Sequence, residues 1–185
     1  MGRSMKRGES GTSLIEVMIA SFFLTVALTA VAMTMTQGVM AVYISQDQLI
    51  AKQKAQEAIE SVFVARNTQE ITWAQIQNTN VTGGIFLTGY QPIRNMGLDG
   101  VANTADDAAD TAETITYPGK DGLLGTADDV TVTLTVFDRQ ITISNVLLPN
   151  NSVDPDIRRI DVDVRYSIRG IQKTVRVSSL ISRFA

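Results

Sequence analysis

The chain has 185 residues, 44% of them hydrophobic, with 16 basic and 19 acidic side chains for a net charge of −3, and it contains neither Cys nor His. That composition excludes disulfide staples, Ser-His-Asp and Cys-His catalysis, and any zinc site beyond carboxylates alone. Mild acidity without a clustered basic patch argues against nucleic-acid binding, and the length suits one small domain beside a long helix.

The amino terminus opens with a basic head, Arg3, Lys6 and Arg7 against Glu9. An apolar run follows from Gly11 to Leu28, and the thirty residues from Val17 to Gln46 carry no charge. As a helix those thirty would run about 45 Å at roughly 1.5 Å per residue, ample for a bilayer core of about 30 Å. The basic head places the amino terminus in the cytoplasm. A secretory signal peptide would have an apolar region of about 7 to 15 residues and a small-x-small cleavage site. Here the run is longer and passes without interruption into a polar helical pattern. An ordinary signal anchor is the plainer alternative.

Glu16 stands at the amino-terminal edge of this run. An ionised side chain within hydrocarbon costs about 2.5 to 3.5 kcal/mol on insertion scales, so such an acid signals a cationic partner. The simpler account is a carboxylate that snorkels to the headgroups at the helix end. The surrounding residues favour the partner. Gly11-Thr12-Ser13-Leu14-Ile15-Glu16-Val17, behind a basic leader and ahead of an apolar run, resembles the processing site of type IV pilins and pseudopilins.

That resemblance implies cleavage by prepilin peptidase after Gly11 on the cytoplasmic face, usually with methylation of the new terminal amine. The family usually begins its mature chain with phenylalanine, whereas this sequence offers Thr12, a position at which cleavage is tolerant. Cutting there leaves 174 residues with a net charge of −5. It also creates a cationic amine at Thr12, four residues before Glu16. Subunits stacked with an axial offset can bring one amine to the next subunit's carboxylate. At about 4 Å and an effective dielectric of about 20 that attraction is about 4 kcal/mol, which offsets much of the desolvation cost and penalises wrong registers. Thr12 and Glu16 are therefore the expected assembly residues. The lack of cysteines points to a minor pilin or pseudopilin, since a carboxyl-terminal cysteine pair is common in major pilins.

From Ser45 to Arg66 the chain continues as an amphipathic helix, with Ala51, Ala55, Ala58, Ile59, Val62 and Ala65 on one face and Lys52, Lys54, Gln56, Glu57 and Glu60 on a solvated one. Residues 67–90 read as a loop-rich connection with a short helix at Trp73, itself a core anchor, and a strand near Ile85 to Leu87. Alternating segments at Val130 to Phe137, Arg159 to Ile168 and Gln172 to Ile181 read as strands. The last two form a hairpin through Arg169-Gly170, with Ile160, Val162 and Val164 facing the helix and Asp161 and Asp163 exposed opposite. The expected fold is α+β and pilin-like: a long N-terminal α-helix, transmembrane in one half and amphipathic in the other, packed on a C-terminal antiparallel β-sheet. Its parts are a leader at 1–11, helix halves at 12–44 and 45–66, and a sheet domain at 67–185.

An internal repeat lies within that sheet domain. Residues 97–108 match 119–130 at seven of twelve positions, with a period of 22. Each copy supplies three carboxylates, Asp99, Asp106 and Asp107, then Asp121, Asp128 and Asp129. Calcium takes six to eight oxygens, including carbonyls exposed by glycine turns, so both trios are candidate calcium ligands. The loops are similar to the aspartate-glycine loops of extracellular calcium-binding repeats, yet they lack the terminal bidentate Glu of an EF-hand. The plain reading is a pair of Asp-Gly turns bounding a hairpin, with a mobile excursion rich in Ala, Thr and Asp between the copies.

Together these features indicate a structural subunit, not an enzyme, of a type IV pilus or type II secretion-type pseudopilus. Its partners would be prepilin peptidase, other pilin or pseudopilin subunits and the bacterial inner membrane, which it leaves for a periplasmic or extracellular filament. The alternative is a membrane-anchored extracytoplasmic calcium-binding module that does not enter a filament.

Overall fold

A computed structural model describes residues 13–168 and 170–184. Gly11 and Thr12, the expected processing pair, lie outside the described residues. The chain divides into two compact units, Met1–Ser45 and Gln46–Ala185.

The first element, α1, runs Leu14–Asn67 over 54 residues and passes Gly38 without a break. In the first unit its described apolar residues are exposed, but for Met40, and α1 is long and apolar enough to cross a membrane. The hydroxyls of Ser21, Thr25, Thr29, Thr34 and Thr36 are satisfied within the helix. Ser21 donates to the Met18 carbonyl at 2.9 Å, Thr25 to Ser21 at 2.8 Å and Thr36 to Ala32 at 2.9 Å. Such back-bonding spares these hydroxyls the need for water, which an apolar medium favours.

In the second unit the same helix has a covered face. Ile50, Ala51, Ala55, Ala58, Ile59, Val62 and Ala65 are buried in the core. Four of those seven positions are alanine. The main sheet is antiparallel in the order β1 (Gln91–Pro92), β4 (Phe137–Leu147), β5 (Val153–Ile168), β6 (Ile171–Ser182). A separate two-stranded ribbon pairs β2 (Thr114–Tyr117) with β3 (Val130–Thr133). The architecture is α+β, with Ile141, Ile143, Ile160, Val162, Val164 and Ile181 from the sheet joining the helix stripe in one core.

Several local expectations change in this framework. The segment Val130 to Phe137 is not one strand: it turns after Thr133, where the Phe137 amide donates to the Leu134 carbonyl at 3.2 Å. Its first half joins the exposed ribbon, and Phe137 starts β4, a strand the alternation concealed because Arg139 interrupts the apolar row. The stretch between the repeat copies holds β2 and is no free excursion. Near Ile85 to Leu87 there is only a single bridge, Asn78 to Phe86. β5 begins at Val153, six residues earlier than expected, and carries Pro155 across the register shift between Asn145 and Leu147 of β4.

The short helix at Trp73 is a 3-10 turn, Trp73–Gln75. The Trp73 indole packs on the core and donates to the Pro155 carbonyl at 3.1 Å, while the Arg158 guanidinium lies 4.3 Å from its ring centroid. Lys54 leaves the expected solvated face. It is buried and pairs with Glu57 at 2.6 Å and with Glu113, just before β2. Burial pulls the Lys54 ammonium down, but its hydrogen bonds to Glu113 and Glu57 lift it above its ordinary value. Asp163 is likewise covered: it accepts both Nε and Nη2 of Arg176 at 2.6 Å.

The β5–β6 hairpin forms as expected, with Ile168 opposite Ile171 and Gly170 at φ +81° closing a two-residue connection. If the row at Ile160 carries the core, Ile160→Ala should destabilise the detergent-solubilised chain by about 2 to 5 kcal/mol. Ile171→Ala, on an exposed side chain of the same hairpin, should change stability by under about 0.5 kcal/mol. Chemical unfolding of both variants checks this, and equal losses would contradict the assigned face.

Candidate functional site

Two candidate sites emerge, one at the amino-terminal end of α1 and one in the repeated loops. Glu16 sits in the first turn of α1, exposed, with its amide donating to the Ser13 carbonyl at 2.9 Å. The positive end of the helix dipole favours a carboxylate there. That placement stabilises the turn and leaves the carboxylate accessible from outside the helix.

The two repeat copies fold alike. In the first, Val101 N–H donates to Asp99 Oδ1 at 2.8 Å, and the Thr104 hydroxyl donates to Asp106 Oδ1 at 2.6 Å. In the second, Leu123 N–H donates to Asp121 Oδ1 at 2.9 Å, and the Thr126 hydroxyl donates to Asp128 Oδ1 at 2.8 Å. Asp107 accepts from the Gly97 amide at 2.9 Å and the Asn103 amide at 2.7 Å; its counterpart Asp129 accepts from the Gly125 amide at 2.6 Å. Asn103 and Gly125 occupy the same left-handed position, at φ +62° and +87°. Asparagine tolerates that conformation where most residues do not, so the repeat survives the exchange. Gly97 and Gly119 are fixed by a different constraint, since a Cβ on either would collide with the Asp106 or Asp128 carboxylate.

The carboxylates thus work first as acceptors that close turns. Asp99, Asp106 and Asp107 nevertheless each place one oxygen within 4.8 Å of the others, and among the described residues no second such group occurs. Asp121, Asp128 and Asp129 are not brought together in this way. The first trio offers hard oxygen donors of the type calcium prefers, though both Asp107 oxygens are already engaged by backbone amides.

The loops differ in their surroundings. Val101, Ala102, Asn103, Thr104 and Asp107 of the first copy are buried, while their counterparts in the second are exposed or half-buried. Behind the first copy lies Arg139, fully buried on β4 and absent from the sequence expectations. Its Nε donates to Asn103 Oδ1 at 2.8 Å, Asn103 Nδ2 donates to the Arg139 carbonyl at 2.9 Å, and Nη1 is buried without a partner. Burial pushes the Arg139 guanidinium below its ordinary value and the Asp107 carboxyl above its own. The arginine in an otherwise apolar alternation, Phe137, Ile141, Ile143, was the sequence signal for this interior charge.

The chain matches no family model, no curated protein and no solved structure.

Hydrogen bonds from Thr104 and Thr126 hold the Asp106 and Asp128 carboxyls below the usual range. A carboxyl with a lowered folded value stabilises the loop above the ordinary carboxylate pKa of about 3.9, and that contribution disappears as pH falls through the lower value. Thr126→Val should therefore raise the Asp128 titration toward about 3.9, followed by carboxyl NMR. An unmoved Asp128 would show that the hydroxyl does not set its charge state.

Proposed function

We propose that this chain is a structural subunit, of the minor kind, of a type IV pilus or type II secretion-type pseudopilus, and that it performs no catalysis. The observation that carries the reading is one carboxylate, Glu16, in the first turn of a helix whose next thirty residues are uncharged and, but for Met40, exposed. The preceding basic head and Gly11 supply the processing context for prepilin peptidase. Before assembly the precursor would span the bacterial inner membrane once, its amino terminus cytoplasmic. After cleavage, the Thr12 amine of one subunit meets Glu16 of a neighbour, and the α1 helices pack together with their apolar sides covered. The pilin-like character of the α+β domain belongs to this proposal as well.

Glu16→Ala tests the reading. The variant should be cleaved and displayed on the membrane, but its recovery in sheared, pelleted filaments should fall at least tenfold against the wild-type chain. Undiminished incorporation would contradict the latch. It would favour a membrane-anchored binding module outside any filament.

A second reading, compatible with either assembly outcome, is that the first loop holds calcium through Asp99, Asp106 and Asp107. The convergence of those three oxygens within 4.8 Å supports it. A site of this kind adds about 2.7 kcal/mol of stability at calcium concentrations a hundred times its Kd. Calcium should raise the thermal midpoint of the wild-type chain and leave Asp99→Asn/Asp106→Asn unchanged. Equal responses in both chains would remove the metal from the account.

A further inference from the structure

The second repeat copy reproduces the first in its backbone and opposes it in its exposure. Val101 and Ala102 are fully buried in the first copy, whereas Leu123 and Leu124 at the equivalent positions are 63% and 66% exposed. Two adjacent leucines on a loop tip are surface that folding within this chain does not cover. They are rimmed by Asp121, Asp128 and Asp129, and residues 97–130 as a whole carry eight acidic side chains against one lysine, Lys120.

The sheet face turned away from the core has the opposite character. Two of the ion pairs there are layered, with carboxylates beneath and guanidinium groups above, while Arg165 and Asp138 are about equally exposed. The Arg176 side chain is 63% exposed over Asp163 at 9%, and Arg159 is 52% exposed over Asp161 at 17%. Paired charges sum to zero, but the surface offered to a visitor is cationic. The sequence shows no basic cluster because these arginines come from two strands. Leu180 pairs directly with Arg159 across β5 and β6, and it is 58% exposed. It shares a shallow concavity of about 310 Å³ with Arg159, Ser178 and Ser179.

We propose that the loop at 119–130 of one copy of this chain docks on the outer sheet face of another. Leu123 and Leu124 then sit against Leu180, and the acidic rim faces Arg159 and Arg176. This contact rests on the filament-subunit reading and supplies the domain-to-domain interface that reading requires. The occupant is a second copy because one chain carries both complementary surfaces. The contact joins two different patches, so it is head-to-tail and leaves a free patch at either end. A symmetric contact of loop with loop would instead oppose two acidic rims, and like charge disfavours it.

The natural absence of cysteine makes the test direct. Two full-length chains, one Leu124→Cys and one Leu180→Cys, distinguished by tags of different size, are co-expressed and oxidised in intact cells and in sheared filaments. A reducible heterodimer, absent when either chain is oxidised alone, is the expected result. A second variant, Leu123→Asp/Leu124→Asp, should lower filament recovery at least fivefold while the chain still reaches the membrane. Filaments that form normally but yield no heterodimer overturn the docking contact and leave the proposed function intact. Homodimers of Leu124→Cys alone would overturn it in favour of a symmetric contact. If the wild-type chain is absent from the filaments of cells that hold its processing enzyme and the other subunits, the function itself fails, and the docking contact with it.

Discussion

The structure depends on one helix having to satisfy two different surroundings. Within the second unit, α1 buries a stripe of alanines and branched side chains against the sheet row at Ile141, Ile160, Val162 and Val164. Burial of that kind is worth roughly 25 cal/mol per Å² of apolar area and is what holds a domain without disulfides together. Within the first unit the same helix carries leucines, phenylalanines, valines and methionines that, but for Met40, nothing among the described residues covers. Water is a costly medium for such a surface, and under the proposed function a bilayer, then neighbouring helices of the same kind, would complete it. The internal hydroxyl bonds of Ser21, Thr25 and Thr36 prepare the segment for either. A charged side chain at its edge is tolerable where it can be neutralised, which is why Glu16 has consequences beyond its own turn.

The repeated loops show how one local sequence can serve two purposes. Both copies close their turns with the same carboxylate acceptors and the same close approach of glycine to aspartate. In the first copy those turns are built into the core behind Arg139 and Asn103, where losing an acceptor would strand a buried amide. In the second copy they hold a tip whose leucines lie in solvent. Duplication followed by a change of surroundings is a simple way to obtain a rigid projecting loop, because its turn chemistry needs no support from the domain.

Much of the architecture was legible in the sequence. The alanine stripe at Ala51, Ala55, Ala58 and Ala65 followed from helical spacing, and the hairpin at Gly170 from its alternation and turn residues. What sequence periodicity could not give was the fate of charged residues at interior positions. Lys54 lies on the edge of the helix stripe and is buried because Glu113, 59 residues away, arrives to pair with it. Arg139 interrupts an alternation and hid β4, since a guanidinium in a core row becomes tolerable only once Asn103 is known to face it. The segment Val130 to Phe137 alternates well yet splits, because its first half pairs with Thr114–Tyr117 in a ribbon where Val130–Thr133 are all exposed. The repeat was visible residue by residue, but only the fold reveals which copy is interior.

The central claim, that this chain is a processed filament subunit, is tested most directly by the intact mass and amino-terminal sequence of the protein recovered from cells that possess a prepilin peptidase. A chain beginning at Thr12, with or without an added methyl group, is the predicted result. A chain that retains Arg3 to Gly11, or one cut after the apolar run, would contradict it and leave an anchored or secreted binding domain in its place.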